Sequence, residues 1–399
     1  MPSGPRGGDA LDAALDDRDA LGYVFIGRGP DPTLRYLTGR GFDTTVVYVR
    51  VAGESHLRVP STIETPEVPG VAVRIDDKPA GKAAAAVLGS EATSGTVLVP
   101  QTIPHDAALH LESAGYDLAS TPVLDNACAV KDDDERAAIE TVQRAARRGI
   151  ARAAEILADA TVDNATTTDD DADATDDDTA HTADDDGTLV WDGAPLSTER
   201  IRRQVNVALA IEGVDAAGAT TVDVGGRERS GETTPEDDAS AVVLRADDPV
   251  VVSVAPRGRD GYRGALARTF VVDADGGWER RAHVACDAAR DVALVEAGPG
   301  ADAAFVGSEI RAETAAFGFS PSEEVARDVG GGIGLSLCES PPLDGDTELS
   351  AGNVIRVRTA VSDPENGRIE LVDVMAIDDD GPVFLGDPPT SLDPAAWSQ

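Results

Sequence analysis

Lysine is nearly missing from this chain of 399 residues: only Lys78, Lys82 and Lys131 occur, and the other strong bases are arginines. Against 34 Lys+Arg stand 73 Asp+Glu, a formal net charge of −39. So few cations cannot neutralise a run of phosphates, which argues against direct nucleic-acid binding. Cysteine is scarce too. Cys128, Cys286 and Cys338 have no paired spacing, which speaks against a disulfide framework and fits a reducing compartment. Aromatics are only 4% of residues. No apolar run reaches the roughly 18 residues of a membrane span. The opening stretch MPSGPRGGDALDAALDDRDA has no apolar centre, so no secretory leader is expected.

What is present is a 41% hydrophobic fraction, enough to bury the cores of two ordinary domains. Extreme acidity with arginine in place of lysine is the composition expected of a haloarchaeal cytoplasm. There the Debye length falls to about 3 Å at 1 M salt, so self-repulsion is screened while carboxylates hold the surface hydrated. An acidic tail for a basic partner does not account for the charge. The aspartate-rich run 159–186 holds twelve aspartates and no Lys or Arg, yet most of the excess lies outside it.

Along the chain, residues 1–20 read as a polar start and a short helix. GYVFIG (22–27), TTVVYVRV (44–51) and TVLVP (96–100) are β-branched, apolar runs bounded by turn residues, and read as strands. PHDAALHLESAGY (104–116) reads as a helix stopping at Gly115. These predict a small α/β domain over 1–125. Residues 126–158 contain the strongest helix signal, with acids at its start and arginines after. The Thr/Asp stretch within 159–194 has no apolar periodicity and is expected to be a disordered insertion. Residues 195–399 open on a helix at 196–213 capped by Ser197 or Thr198. Strand-like runs at 249–256, 265–273, 353–361 and 368–378 alternate with helix-like ones at 278–297 and 301–318. That pattern predicts an α+β domain with a curved antiparallel sheet.

Four strings in this second half resemble peptidase family M24, the Xaa-Pro aminopeptidases and prolidases. RGRDGYRGALARTFVVD resembles the family's Asp-x-Gly stretch followed by Gly-Tyr-x-x-Asp-x-Thr-Arg-Thr. VGGGIGLSLCESPPL resembles Gly-His-Gly-Ile-Gly-Leu-x-x-His-Glu-x-Pro. LSAGNVIRVRTAV resembles Leu-x-x-Gly-Met-Val-x-x-x-Glu-Pro, and GRIELVDVMAI the closing Arg-Ile-Glu-Asp segment. They occur in the family's order. PDPTLRYLTG (30–39) is similar to the creatinase-type N-terminal domain, and the helix at 131–158 to the connecting helix. The resemblance implies a creatinase-type N-terminal domain followed by a pita-bread domain. It also implies a homodimer.

The family's chemistry uses two divalent metals such as Mn, Co or Zn, held by two Asp, one His and two Glu, to activate water and polarise the scissile carbonyl. Carried over one by one, these positions fall on Ser253, Ala265, Gly331, Arg358 and Glu370, of which only Glu370 keeps the family's residue. The histidine preceding the retained Glu339 becomes Cys338, and an upstream histidine becomes Glu236 after Pro235. No cofactor is therefore expected. Arg358 cannot deprotonate and is expected to pair with Glu370, supplying the positive charge that metals would have given. Other readings of these residues are weaker. Cys338 as a nucleophile lacks a nearby histidine and is expected to be a small buried residue. Glu339 with Glu370 could form an acid/base pair. None of His56, His105, His110, His181 and His283 lies in the motif strings.

The favoured expectation is a cytoplasmic, non-catalytic pseudo-peptidase that binds a peptide, protein or small-molecule ligand in the old cleft. The Gly-rich strip GGGIGL and Glu339 support that cleft. The resemblance offers a precedent in the histone-chaperone subunit of the FACT complex, a metal-less relative that works as a binding module. The alternative is an enzyme: a metallo-aminopeptidase or dipeptidase cleaving Xaa-Pro peptides, or a metal-free hydrolase of the creatinase type.

Overall fold

The computed structural model describes residues 5–163, 187–224, 242–274, 276–320, 325 and 327–397. The first half runs α1 (Gly8–Asp17), β1 (Gly22–Arg28), α2 (Pro32–Thr38), β2 (Thr45–Val51), β3 (Glu54–Val59), β4 (Val71–Ile75), α3 (Ala80–Leu88), β5 (Gly95–Val99), α4 (His105–Ser113), β6 (Tyr116–Ser120) and α5 (Val123–Ala129). The strands form one sheet in the order β4-β3-β2-β1-β5-β6. β1 and β2 are antiparallel, whereas β1–β5, β3–β4 and β5–β6 are parallel. Central β1 and β2 are buried on both faces, which explains their unbroken apolar runs. Edge strand β4 leaves Ile75 exposed. The expected domain boundary at 125 falls inside α5.

The connecting helix α6 (Asp133–Ala158) is started by a capping box: the Asp132 side chain accepts from the Glu135 amide, and the Glu135 side chain accepts from the Asp132 amide. It buries Ile139, Val142, Ala146, Ile150, Ala153 and Leu157 along one stripe. Gly149 lets α7 (Thr198–Ile211) approach closely, since a Cβ there would stand 3.0 Å from Leu209. Ser197 caps α7 by accepting from the Arg200 amide. Between α6 and α7, β7 (Thr161–Asp163), β8 (Thr188–Trp191) and β9 (Ala194–Pro195) form a small antiparallel sheet, with Leu189 fully buried. The expected disordered insertion 159–194 is thus ordered at both ends. Pairing satisfies the backbone there, and Leu189 and Leu196 reach the α6–α7 core. Residues 164–186, with His181, lie outside the described residues.

The second sheet combines β10 (Thr220–Val224), β11 (Val250–Val254), β12 (Leu266–Phe270), β13 (Gly330–Gly332), β14 (Glu339–Pro342), β15 (Val354–Asp363), β16 (Gly367–Asp378) and β17 (Gly381–Phe384). Its order is β10-β11-β12-β16-β15-β13-β14, with β17 also on β16, and its pairs are antiparallel. One face is covered by helices. α6 packs on β11 and β12 and α7 on β10, while α8 (Trp278–Glu296) packs on β15 and β16 and α9 (Ala303–Ala316) on α8 and β15. The other face meets the N-terminal domain. Ala265, Ala267, Val372, Val374 and Ala376 share one hydrophobic cluster with Leu34, Leu37 and Leu57. Among the described residues, no helix is long and apolar enough to cross a membrane.

Candidate functional site

Residues directly opposite in antiparallel strands project to the same face, and so do residues two apart on one strand. Ser253 faces Ala267, Ala267 faces Val372, and Val372 faces Arg358. Ala265 precedes Ala267 by two, Glu370 precedes Val372 by two, and Gly331 pairs with Arg356, two before Arg358. All five residues singled out as ligand positions therefore lie on the face turned toward the N-terminal domain.

Their chemistry is uneven. Arg358 Nε donates to Glu370 Oε1 at 2.6 Å, the pairing expected from the sequence. Arg368 Nη2 stands 2.7 Å from Glu370 Oε2. Both oxygens of this buried carboxylate are thus held by guanidinium groups, a strong charge-assisted arrangement. Beside it, Arg356 Nη2 reaches Asp328 Oδ2 at 2.6 Å. The backbone of Glu370 is fixed as well: its amide donates to Thr269 Oγ1 at 2.8 Å. Ala265 is buried and clamped through its backbone by Gln143 of α6, whose Nε2 donates to the carbonyl and whose Oε1 accepts from the amide. Ser253 is half-buried. Ala265 and Gly331 offer no side-chain donor atom.

The glycine strip is set by packing. A Cβ on Gly330 would stand 2.0 Å from the Arg356 carbonyl oxygen, one on Gly331 2.9 Å from Pro342 Cα, and one on Gly332 2.2 Å from the Ser340 oxygen. The strip expected to keep a cleft open is closed against neighbouring backbone.

Glu339 is elsewhere engaged. Its Oε2 meets Lys131 Nζ at 2.8 Å, with the lysine side chain 1% exposed, and its Oε1 accepts from the Ser336 amide. An acid/base pair of Glu339 with Glu370 is not formed, since each carboxylate has its own cationic partner. Cys338 is exposed, contrary to expectation, because it sits in the turn before β14; the buried cysteine is Cys286 of α8. Cys338, Glu339, Cys128 and Asp125 line a cleft of about 410 Å³ between the domains. Burial, then the nearby Glu339 carboxylate, raises the Cys128 thiol well above its ordinary value. His283 lies on α8 against the Thr390 carbonyl, away from this face. Glu236 lies outside the described residues. Among the described residues, no three His, Cys, Asp or Glu side chains are grouped so as to hold a metal ion.

A second ionic group was missed by sequence reasoning. Arg268 is fully buried on the helix-covered face. It donates to the Pro389, Ala267, Val372 and Pro388 carbonyls and pairs with Asp373 at 2.7 Å. Arg290 of α8 takes the other Asp373 oxygen at 2.8 Å and stacks on Phe384, 3.7 Å from the ring centroid. The signal was available: an arginine in the apolar run ALARTF and an aspartate in LVDVM, each where alternation places a buried side chain.

Residues 194–379 match the model of metallopeptidase family M24. A search of the curated proteins by sequence found no match. Among solved structures, the chain is similar to the prolidase from Pyrococcus horikoshii OT3 at TM-score 0.72 and 17% identity, covering 96% of this chain and 99% of that one. It is similar to the dipeptidase PepE from Mycobacterium ulcerans at 0.70 and 21%, covering 96% of each. It is also similar to the N-terminal domain of a FACT complex subunit from chickpea (Cicer arietinum) at 0.67 and 15%, covering 96% of this chain and 95% of that one. At these identities the likeness is one of fold, and it extends over both domains: the pita-bread architecture with its N-terminal domain.

Proposed function

We propose, on the premise that residues 194–379 place this chain in metallopeptidase family M24, that it is a non-catalytic member that binds a ligand and has given up the family's two-metal chemistry. One observation carries this reading. Both oxygens of Glu370, the one carboxylate at the five family positions, are held by Arg358 and Arg368. A divalent ion there would have to displace two guanidinium groups and sit beside fixed positive charge. Ala265 and Gly331 would give it nothing in return, and Ser253 offers only a hydroxyl. The residues present do not fit two divalent metals.

Ligand binding is supported by the clefts left between the domains, including the one bordered by Glu339 and Cys338. A peptide, a protein segment or a small molecule are the occupants to consider. The solved FACT complex domain has the same architecture.

The test is metal analysis of protein purified in molar salt and equilibrated with Mn, Co or Zn, together with an Xaa-Pro dipeptide hydrolysis assay. Less than one equivalent of metal and no hydrolysis are expected. Two tightly held equivalents with turnover would restore the peptidase reading.

A further inference from the structure

A cleft of about 430 Å³ opens where α2 of the N-terminal domain meets the turn that precedes β12. None of the five family positions lies in it. Arg35 lines it from one domain, and Arg257 and Arg259 from the other. In a chain of net charge −39 with 34 Lys+Arg, three arginines converging on one concavity is a local reversal of the surface charge. The acids at the cleft are Asp43 and Asp215. Asp215 is committed. It pairs with Arg257 at 3.0 Å, and the two residues exchange backbone hydrogen bonds.

Arg35 is the informative residue. It is half-buried, and among the described residues its guanidinium makes no hydrogen bond or ion pair. Burial, then the nearby Arg257 charge, pushes its pKa down, while Asp260 and Tyr262 act the other way. The surrounding chain is cut to fit it. Gly261, at φ +91°, could not carry a Cβ, which would stand 2.3 Å from Arg35 Cδ. A Cβ on Gly41 would stand 3.1 Å from Arg35 Nη2. Exposed Arg259 makes no hydrogen bond or ion pair among the described residues. A half-buried guanidinium that makes no bond to the chain keeps its donors available to a ligand, and an oxyanion is the group that matches its planar fork.

We propose that this interdomain cleft is an anion site, in which Arg35 and Arg259, with Arg257 held in place by Asp215, grip the phosphate or carboxylate group of a small ligand. The cluster disfavours a metal cation by charge, and Asp43 and Asp215 limit the charge it accepts to that of a compact oxyanion. Molar salt screens attraction beyond about 3 Å, so affinity comes from direct guanidinium contacts and depends on them one by one. The inference does not rest on the loss of metal chemistry, because Arg358, Arg368 and Glu370 lie outside the cleft.

The full chain in molar KCl is titrated with inorganic phosphate, followed by phosphorus NMR, and separately with succinate, followed by carbon NMR. Saturable one-to-one binding of at least one probe is expected. Binding of phosphate alone assigns a phosphorylated ligand, and binding of succinate alone a carboxylate. Arg35→Met and Arg259→Met are each expected to weaken binding about tenfold or more while leaving the melting temperature near that of the parent. If Arg35→Met does not fold, the exposed Arg259 carries the test by itself. Binding of neither probe, or binding that survives in the folded variants, overturns the proposal. Arg35 is then a packing residue whose aliphatic stem alone is used.

Discussion

Strand β16 carries two carboxylates three residues apart, and each is gripped by two guanidinium groups on opposite faces of the sheet. On the helix-covered face, Asp373 is 2% exposed and Arg268 0%. The network is closed by carbonyls of the C-terminal segment and by Arg290. On the other face, Glu370 is 8% exposed, while Arg358 and Arg368 are 18% and 14%. The first group ties helix, strand and C-terminal segment together. The second occupies the position where the family resemblance puts metals. The same chemical motif thus ties helix, strand and C-terminal segment on one face and, on the other, neutralises a carboxylate turned toward the N-terminal domain.

The comparison breaks most sharply at Asp373. Asp373→Ala removes the shared acceptor and leaves Arg268 buried and uncompensated. We expect a loss of about 3–5 kcal/mol, read from thermal or denaturant unfolding in molar salt. A loss below about 1 kcal/mol would show that carbonyls alone satisfy Arg268. The two faces also differ in what reaches them. Cys286 is buried in the helix-side cluster with Ile369 and Leu371, and burial pushes its thiol up to about 12. Cys338 is exposed on the interdomain cleft. With native protein at pH 7.5, maleimide should modify Cys338 at least about a hundredfold faster than Cys286, because only the thiolate reacts. Peptide mapping resolves the two sites, and comparable rates would mean that the helix-side face opens readily.

Arg358→Glu tests the group around Glu370. It removes one guanidinium from Glu370 and places a second carboxylate beside it. We expect a loss of about 1.5–3 kcal/mol, smaller than at Asp373 because this face is more exposed. Added Mn or Zn should not recover that loss, since Ala265 and Gly331 stay without donors. Unchanged stability in molar salt would show that the Arg358–Glu370 pair supports nothing. Recovery by metal would show that the remaining groups still form a metal site.

Much of this was legible in the sequence. The apolar runs of β1, β2, β11, β15 and β16 stand out because β-branched residues repeat over several positions, and the acids opening α6 marked its start. The Arg358–Glu370 pair followed from charge logic, since a buried carboxylate needs a cation. β3, β4 and β6 were not foreseen. Their residues are mixed with polar ones, and pairing in the sheet, not local pattern, makes them strands. Cys338 was misjudged because size and polarity do not reveal that a residue sits in a turn. Arg368, two residues before Glu370 in GRIEL, was not assigned although 368–378 read as a strand and alternation puts both on one face. Arg35 was invisible as a site residue. Its fellow arginines in the cleft, Arg257 and Arg259, are more than 200 positions away, and only the docking of α2 on the turn before β12 brings them together.

A third guanidinium–carboxylate pair extends the comparison to the surface. Arg50 of β2 holds Asp12 of α1 through two contacts, Nε to Oδ1 at 2.8 Å and Nη2 to Oδ2 at 2.6 Å. The Asp12 side chain is 38% exposed, so water and salt compete for it and the pair is worth under about 1 kcal/mol. The Arg50 hydrogen bonds, opposed by partial burial, hold the Asp12 carboxyl below its ordinary 3.8. A carboxyl whose folded value is lowered stabilises the fold above its unfolded value and loses that contribution as pH falls through the folded one. Asp12→Asn should therefore lower the melting temperature by only a degree or two at pH 7, and the gap to the parent should close as pH drops below about 4. A gap that persists at pH 2 would mean that Asp12 acts by packing at the α1–β2 contact, and that burial does not grade the three pairs from fastening to ornament.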